Sequence, residues 1–162
     1  MRARRIVFAF DARLRRVGAL EALAALAEQM QAELVGLFIE DIDLLHLAAL
    51  PFAREVGYPS AAHRELDLAR MQRSLTAYAN ELRRTCEAVL KDTPVTWSFR
   101  VARGSRAEQL MNAAIEGRAP TLLIPPGIDP HAEPVVVSLS ELTEESSQAL
   151  FDSAQRPILI LP

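Results

Sequence analysis

Arg5-Ile6-Val7-Phe8-Ala9-Phe10-Asp11, followed from residue 33 by Glu33-Leu34-Val35-Gly36-Leu37-Phe38-Ile39, decides the fold class. Both runs are short, apolar and rich in β-branched or aromatic side chains, as strands are. Between them Val17, Leu20, Leu23, Ala24, Ala27 and Met30 recur at spacings of three and four, the period of a helix. The result is a β–α–β unit whose crossover is long enough to bring the two strands parallel. The helix's packing face is rich in alanine, which lets it sit close on a sheet. Arg5–Phe10 is apolar on both faces, as a central parallel strand must be.

The same alternation continues along the chain. Leu44–Leu50 reads as a short helix ended by Pro51, and Gly57, Pro59 and Ser60 mark a loop. A long helix is expected from Ala62 to Leu90, with Leu68, Met71, Leu75, Tyr78, Leu82, Cys86 and Val89 on one face. Two readings of that stripe stand: a core face laid on the sheet, or a coiled-coil seam to a partner. Val95–Val101 alternates, with Val95, Trp97, Phe99 and Val101 on one face, so one face is wet and the strand belongs at an edge. Ser105-Arg-Ala-Glu108 is a capping box that opens a helix with Ala107, Leu110, Met111, Ala114 and Ile115 inward and Gly117 as its stop. Pro120–Pro125 is a fourth strand. Pro134–Leu139 reads as a further strand, Ser138 or Ser140 as the cap of a helix reaching Ala154, and Pro157–Leu161 as the closing strand.

This order predicts one α/β domain over residues 1–162, a doubly wound, Rossmann-like, mainly parallel sheet. It has five strands, or six if Pro134–Leu139 pairs.

Composition narrows the function classes. Of 162 residues half are hydrophobic and the formal net charge is −3, which argues against nucleic acid as the default partner. Charge is uneven: residues 1–20 carry six arginines against Asp11, and residues 128–162 carry six acids against Arg156. Cys86 is the only cysteine, so a disulfide framework within the chain is excluded, and a reducing compartment, the cytoplasm, is the natural reading. The apolar run Ile6–Phe10 is too short for a signal-peptide core, and no stretch approaches the length of a membrane span.

Several local segments point to one family. Arg5-Ile-Val-Phe-Ala-Phe-Asp11 resembles the first strand of universal stress protein domains, and Ala32-Glu-Leu-Val-Gly-Leu-Phe-Ile-Glu-Asp41 resembles the second. Arg103-Gly-Ser-Arg-Ala-Glu108 leading to Thr121-Leu-Leu-Ile124 is similar to the third helix and fourth strand. Arg156-Pro-Ile-Leu-Ile-Leu-Pro162 is similar to the closing strand, and Leu44–Gly57 resembles a subset of bacterial members. The resemblance covers nearly the whole chain. It implies a strand order 3-2-1-4-5, a regulatory role in stress response and homodimers commonly paired through the last strand. On this comparison residues 134–162 look like the start of a second, cut-short repeat.

The phosphate loop departs from that family. Nucleotide-binding members carry G-x-x-G after the fourth strand and Gly-Ser or Gly-Thr further on, so that backbone N–H groups wrap phosphates. Here the region reads Gly127-Ile-Asp-Pro-His-Ala-Glu-Pro-Val-Val-Val-Ser-Leu-Ser140. Only Gly127 remains, Pro130 and Pro134 remove donors, and Asp129 and Glu133 repel phosphate. No ATP or AMP cofactor is therefore expected of the usual kind.

In such sheets ligands bind at the carboxyl ends of the strands where the winding reverses. That point lies beside Asp11 and Gly127. Arg13, Arg15 and Arg16 follow directly, either as guanidinium donors to an anion or as a solvated basic loop. Asp11 either orients a ribose or metal or caps the first helix. Glu40, Asp41 and Asp43 are either a magnesium-type carboxylate cluster or a polar strand exit. Ser105 lacks a G-x-S-x-G elbow, so it reads as a cap. His46, His63 and His131 have no metal-ligand spacing, and Cys86 on an apolar face reads as an inert thiol. A receiver domain needs a late lysine, whereas Lys91 is the only one, and neither a P-loop nor G-x-G-x-x-G is present. The expectation is a non-enzymatic binding or regulatory module, with Asp11, Arg13, Arg15, Arg16 and Gly127 as its site and an unspecified protein as partner.

Overall fold

The computed structural model describes residues 3–10, 17–40 and 61–162. The expected Leu44–Leu50 helix lies outside the described residues. The elements are β1 (Arg5–Phe10), α1 (Val17–Met30), β2 (Glu33–Glu40), α2 (Ala61–Leu90), β3 (Trp97–Arg103), α3 (Arg106–Gly117), β4 (Thr121–Ile124), β5 (Val135–Ser138), α4 (Glu144–Asp152) and β6 (Ile158–Leu161). They form one six-stranded sheet in the order β3-β2-β1-β4-β6-β5.

β1 sits between β2 and β4 and pairs parallel with both. Its side chains alternate between two cores because successive residues of a strand point to opposite faces. Ile6 and Phe8 enter the core beneath α1, and Val7 and Ala9 enter the core beneath α3 and α4. In α1, Leu20, Leu23, Ala24 and Ala27 are the buried face, as the three–four spacing required. The sheet is thus covered on both sides by helices, with α1 and α2 on one face and α3 and α4 on the other.

α2 outruns the sheet it lies on. Thirty residues of helix are about 45 Å long, whereas the eight residues of β2 span about 27 Å. Leu75 and Tyr78 are half-buried, and full burial begins at Ala79 and recurs at Leu82, Cys86 and Leu90. Met71, on the same stripe, is 38% exposed. The core-face reading of this stripe therefore holds for its C-terminal half.

β3 lies at the sheet edge, where its alternation placed it. Trp97 and Phe99 pack against the α1–α2 core, but Val101 is 44% exposed. On the opposite face Arg100 Nη1 donates to Glu116 Oε2 at 2.6 Å.

Four details differ from the sequence expectations. In α3 the buried positions are Ala107, Leu110, Ala113 and Ala114, and Ile115 is 51% exposed. The α3 helix ends on Arg118 in the left-handed conformation, φ 46°, rather than on Gly117. Gly117 instead makes room: a β-carbon there would lie 3.2 Å from Arg5 Nη1 and 3.1 Å from Thr121 Oγ1. Arg5 uses that room to donate to the Ala113 carbonyl at 3.1 Å, near the end of α3. The helix after β5 is capped by Thr143, not by Ser138 or Ser140, through reciprocal bonds with Ser146.

The fourth difference concerns the sheet. Pro134–Leu139 does supply a sixth strand, and β5–α4–β6 is a parallel β–α–β unit. β6 takes the place beside β4, but it runs antiparallel to it. Because the chain reverses direction after β4, the segment Pro125–Pro134 needs no crossover helix. The last strand is paired on both sides, so the edge pairing that the resemblance implies is not open to β6. The free edge on that side is β5.

Candidate functional site

A cavity of about 310 Å³ opens at the carboxyl ends of β1 and β4, on the α1–α2 face. This is the crevice where the winding reverses, because β1 leads outward to β2 on one side and borders β4 on the other. Its floor is Phe8, Phe10 and Ile124 from the two strands. Leu20 and Leu23 of α1 form one wall, and Leu82 and Cys86 of α2 form the other. The loop after β4 borders it with Pro125, Gly127, Ile128 and Pro130.

The aromatic floor depends on a missing side chain. Phe8, Gly36 and Phe99 are in register across β1, β2 and β3. A β-carbon on Gly36 would lie 3.1 Å from Phe8, 3.2 Å from Phe99 and 3.3 Å from Phe10. Glycine at the middle of the row lets the three rings lean together over β2. Phe8 and Phe10 meet edge to face with centroids 4.6 Å apart, and Phe10 and Phe99 are 6.1 Å apart. Arg83 lies over Phe99 at 5.3 Å from the ring centroid.

Among the described residues, polar side chains line this cavity along one flank. Tyr78, Glu81 and Thr85 recur at spacings of three and four, and therefore share one face of α2. Thr85 Oγ1 donates to the Glu81 carbonyl at 3.0 Å, leaving its lone pairs free to accept. Glu81 is the one charged residue of the lining among the described residues. Burial pushes the Cys86 thiol up to about 11, partly offset by a backbone hydrogen bond, so the sulfur is neutral at physiological pH.

Gly127 is the expected site residue that the structure describes, and it lines the cavity. It sits at φ 79° with nothing within 4 Å of where a β-carbon would stand. Its glycine is thus required by the left-handed backbone and not by a crowded neighbour. Asp11, Arg13, Arg15 and Arg16 lie outside the described residues; in the sequence they join Phe10 to α1. Asp41 and Asp43 also lie outside. Glu40 is committed elsewhere: it is buried and bonded to Arg103 at 3.2 Å. Ser105 is the N-cap of α3, accepting from the Glu108 N–H. Among the described residues no three His, Cys, Asp or Glu side chains gather to hold a metal ion, and no helix is long and apolar enough to cross a membrane.

The α2 flank of the cavity was not anticipated. Periodicity identified the stripe of Tyr78, Leu82 and Cys86 but not that Glu81 and Thr85 beside it border open space. The aromatic richness of β1 and β3 around Gly36 was the available signal.

Solved structures share this architecture. A universal stress protein family structure from Burkholderia pseudomallei aligns over 98% of this chain and 96% of its own, at 20% identity and a TM-score of 0.53. Universal stress protein UspA from Lactobacillus plantarum aligns over 100% and 99%, at 14% identity and 0.55. The fold is that of universal stress proteins. The structure of hypothetical protein MJ0577 aligns over 99% and 96%, at 12% identity and a TM-score of 0.56. No protein-family model matches this sequence, and no curated protein matches it significantly. Within the universal stress protein frame, β3-β2-β1-β4 is the shared order that brings the cavity to the β1–β4 crevice.

Proposed function

We propose that this chain is a non-catalytic regulatory module of the universal stress protein type, cytoplasmic, acting by contact with a protein partner as a homodimer, with a crevice no longer built for nucleotide. The observation that carries this reading is the chemistry of the cavity. Its described lining is apolar apart from Tyr78, Glu81 and Thr85. A phosphate needs convergent N–H donors or cations, whereas the loop offers one glycine among Pro125, Pro126, Pro130 and Pro134. The dimer part rests on β5, whose outer edge has no neighbouring strand in the sheet. Exposed strand edges of this kind pair readily with another strand.

Thermal-shift titration with ATP, AMP and cyclic nucleotides tests the reading, and no shift is expected at millimolar nucleotide. A second reading rests on position in the sequence. Arg13, Arg15 and Arg16 lie between Phe10 and Ala19, both of which line the cavity. On that reading the chain binds ATP, AMP or another anion through guanidinium donors in place of the glycine loop. A nucleotide-induced shift that disappears in an Arg13/Arg15/Arg16→Ala variant would establish it and overturn the first.

A further inference from the structure

The cavity is built at two levels. Its deep walls are buried carbon: Leu20, Leu23, Leu82, Cys86, Ile124 and Pro125. Its rim is half-buried or exposed and carries Tyr78, Glu81 and Thr85 on α2. An apolar cavity of about 150 Å³ stays dry and accepts one benzene ring. At about 310 Å³ this one has room for a two-ring molecule, at the lower end of the range for ligand pockets, which are typically apolar with a few placed polar groups. The Phe8 and Phe10 rings already pack edge to face, and a third aromatic ring can extend that arrangement.

Among the described residues the rim favours one sign at the ligand's polar end. Glu81 presents a carboxylate that makes no ion pair among the described residues. The Thr85 hydroxyl spends its proton on the helix backbone and is left as an acceptor. Both groups recognise a donor. A carboxylate, sulfate or phosphate at this position would meet a like charge instead.

We propose that the β1–β4 cavity binds a small aromatic molecule of about two fused rings, with a hydroxyl or amine at its polar end directed to Glu81 and Thr85. This deepens the binding-module reading and rests on it. No anionic group and no nucleotide is needed for occupancy.

The test uses three molecules of one shape on the full chain: 1-naphthylmethylamine, 1-naphthalenemethanol and 1-naphthoate, titrated while the methyl resonances of Leu20, Leu82 and Ile124 are followed by NMR. The amine and the alcohol are expected to shift those methyls. The amine is expected to bind about threefold tighter, the gain of one partly exposed ion pair. Glu81→Gln, a surface change that leaves the core intact, should bring the amine to the alcohol's affinity. Ala19→Leu, which narrows the cavity from α1, should abolish both responses without lowering the melting temperature; if that variant does not fold, Glu81→Gln still decides the polar end. No methyl shift with any of the three, or shifts confined to other residues, overturns the proposal and leaves the contact-module reading to its own nucleotide and dimer measurements. Naphthoate binding as tightly as the amine also overturns it. Loss of that naphthoate binding in the Arg13/Arg15/Arg16→Ala variant would transfer the site to the anion reading.

Discussion

Phe8 stands opposite Gly36 in the β1–β2 ladder, and the tip of its ring lies 3.1 Å from where a β-carbon on residue 36 would be. Two more rings, Phe10 and Phe99, close on the same point. Gly36→Ala therefore overpacks a buried row. Overpacking costs about 1–3 kcal/mol, and relief of glycine's backbone entropy returns about 0.5–1 kcal/mol. The net expectation is a loss of about 1 kcal/mol in chemical denaturation. The same variant should weaken naphthalenemethanol binding, because the displaced rings are the cavity floor. A Gly36→Ala variant as stable as the parent would show that the rings give way freely.

Val136 lies on β5, the outer strand of the sheet on that side. The Val135 N–H donates to the Pro157 carbonyl at 2.9 Å, toward β6. In a parallel ladder alternate residues bond to opposite sides, so the Val136 N–H and carbonyl face away from β6, and its side chain is 48% exposed. Val136→Pro removes the outward donor and spares the β6 ladder. A dimer in analytical ultracentrifugation that becomes a folded monomer in this variant is the expected result. An unchanged dimer would place the interface elsewhere.

Glu116 links two arginines, one from β3 and one from β1. Arg100 donates to it at 2.6 Å and Arg5 approaches to 3.9 Å. The Arg100 hydrogen bond, partly opposed by desolvation, holds the Glu116 carboxyl below its ordinary value. A lowered folded-state pKa stabilises above the unfolded value, and the stabilisation is lost as pH falls through the folded value. Because Glu116 is largely exposed, the loss in Glu116→Gln near neutrality should be below about 1 kcal/mol. The gap between the two proteins should close below about pH 4, read by urea midpoints across pH.

Cys86 should be slow to react although it borders the cavity. Its thiol is raised to about 11 by burial, and the thiolate is the nucleophile. Iodoacetamide labelling at about pH 8, near the ordinary thiol value, is expected to be far slower in the native chain than in denaturant, and slower still with naphthalenemethanol bound. The linkage has the opposite sign to that of Glu116. Stability from the neutral thiol is complete below the unfolded thiol's pKa and is lost as pH rises toward about 11. Cys86→Ala should remove that alkaline component.

Arg118 ends α3 at φ 46° with its N–H on the Ile115 carbonyl. The left-handed region costs a residue with a β-carbon roughly 1 kcal/mol. Arg118→Gly should stabilise by about 0.5–1 kcal/mol, seen as a higher melting temperature. A fall would mean that the arginine side chain contributes more than its backbone costs.

The sequence alone determined the alternation of strands and helices, the central place of Arg5–Phe10, the edge place of Val95–Val101 and the Ser105 cap. These depend on spacings of two to four residues, which are local. It also showed that the loop after β4 holds one glycine, Gly127, among Pro125, Pro126, Pro130 and Pro134, each proline removing a backbone donor whatever the fold. Only the tertiary structure decided the direction of β6 and the existence of the cavity. The segment from Pro125 to Pro134 can lead into either strand direction, and the choice rests on pairing between Thr121–Leu123 and Ile158–Ile160, far apart in the chain. The cavity likewise forms where Leu82 and Cys86 of α2 face Phe8, Phe10 and Ile124 of the sheet and Leu20 and Leu23 of α1. Which polar residues border that space depends on how α2 is set against α1 and the sheet, an arrangement of segments far apart in the chain that periodicity does not carry.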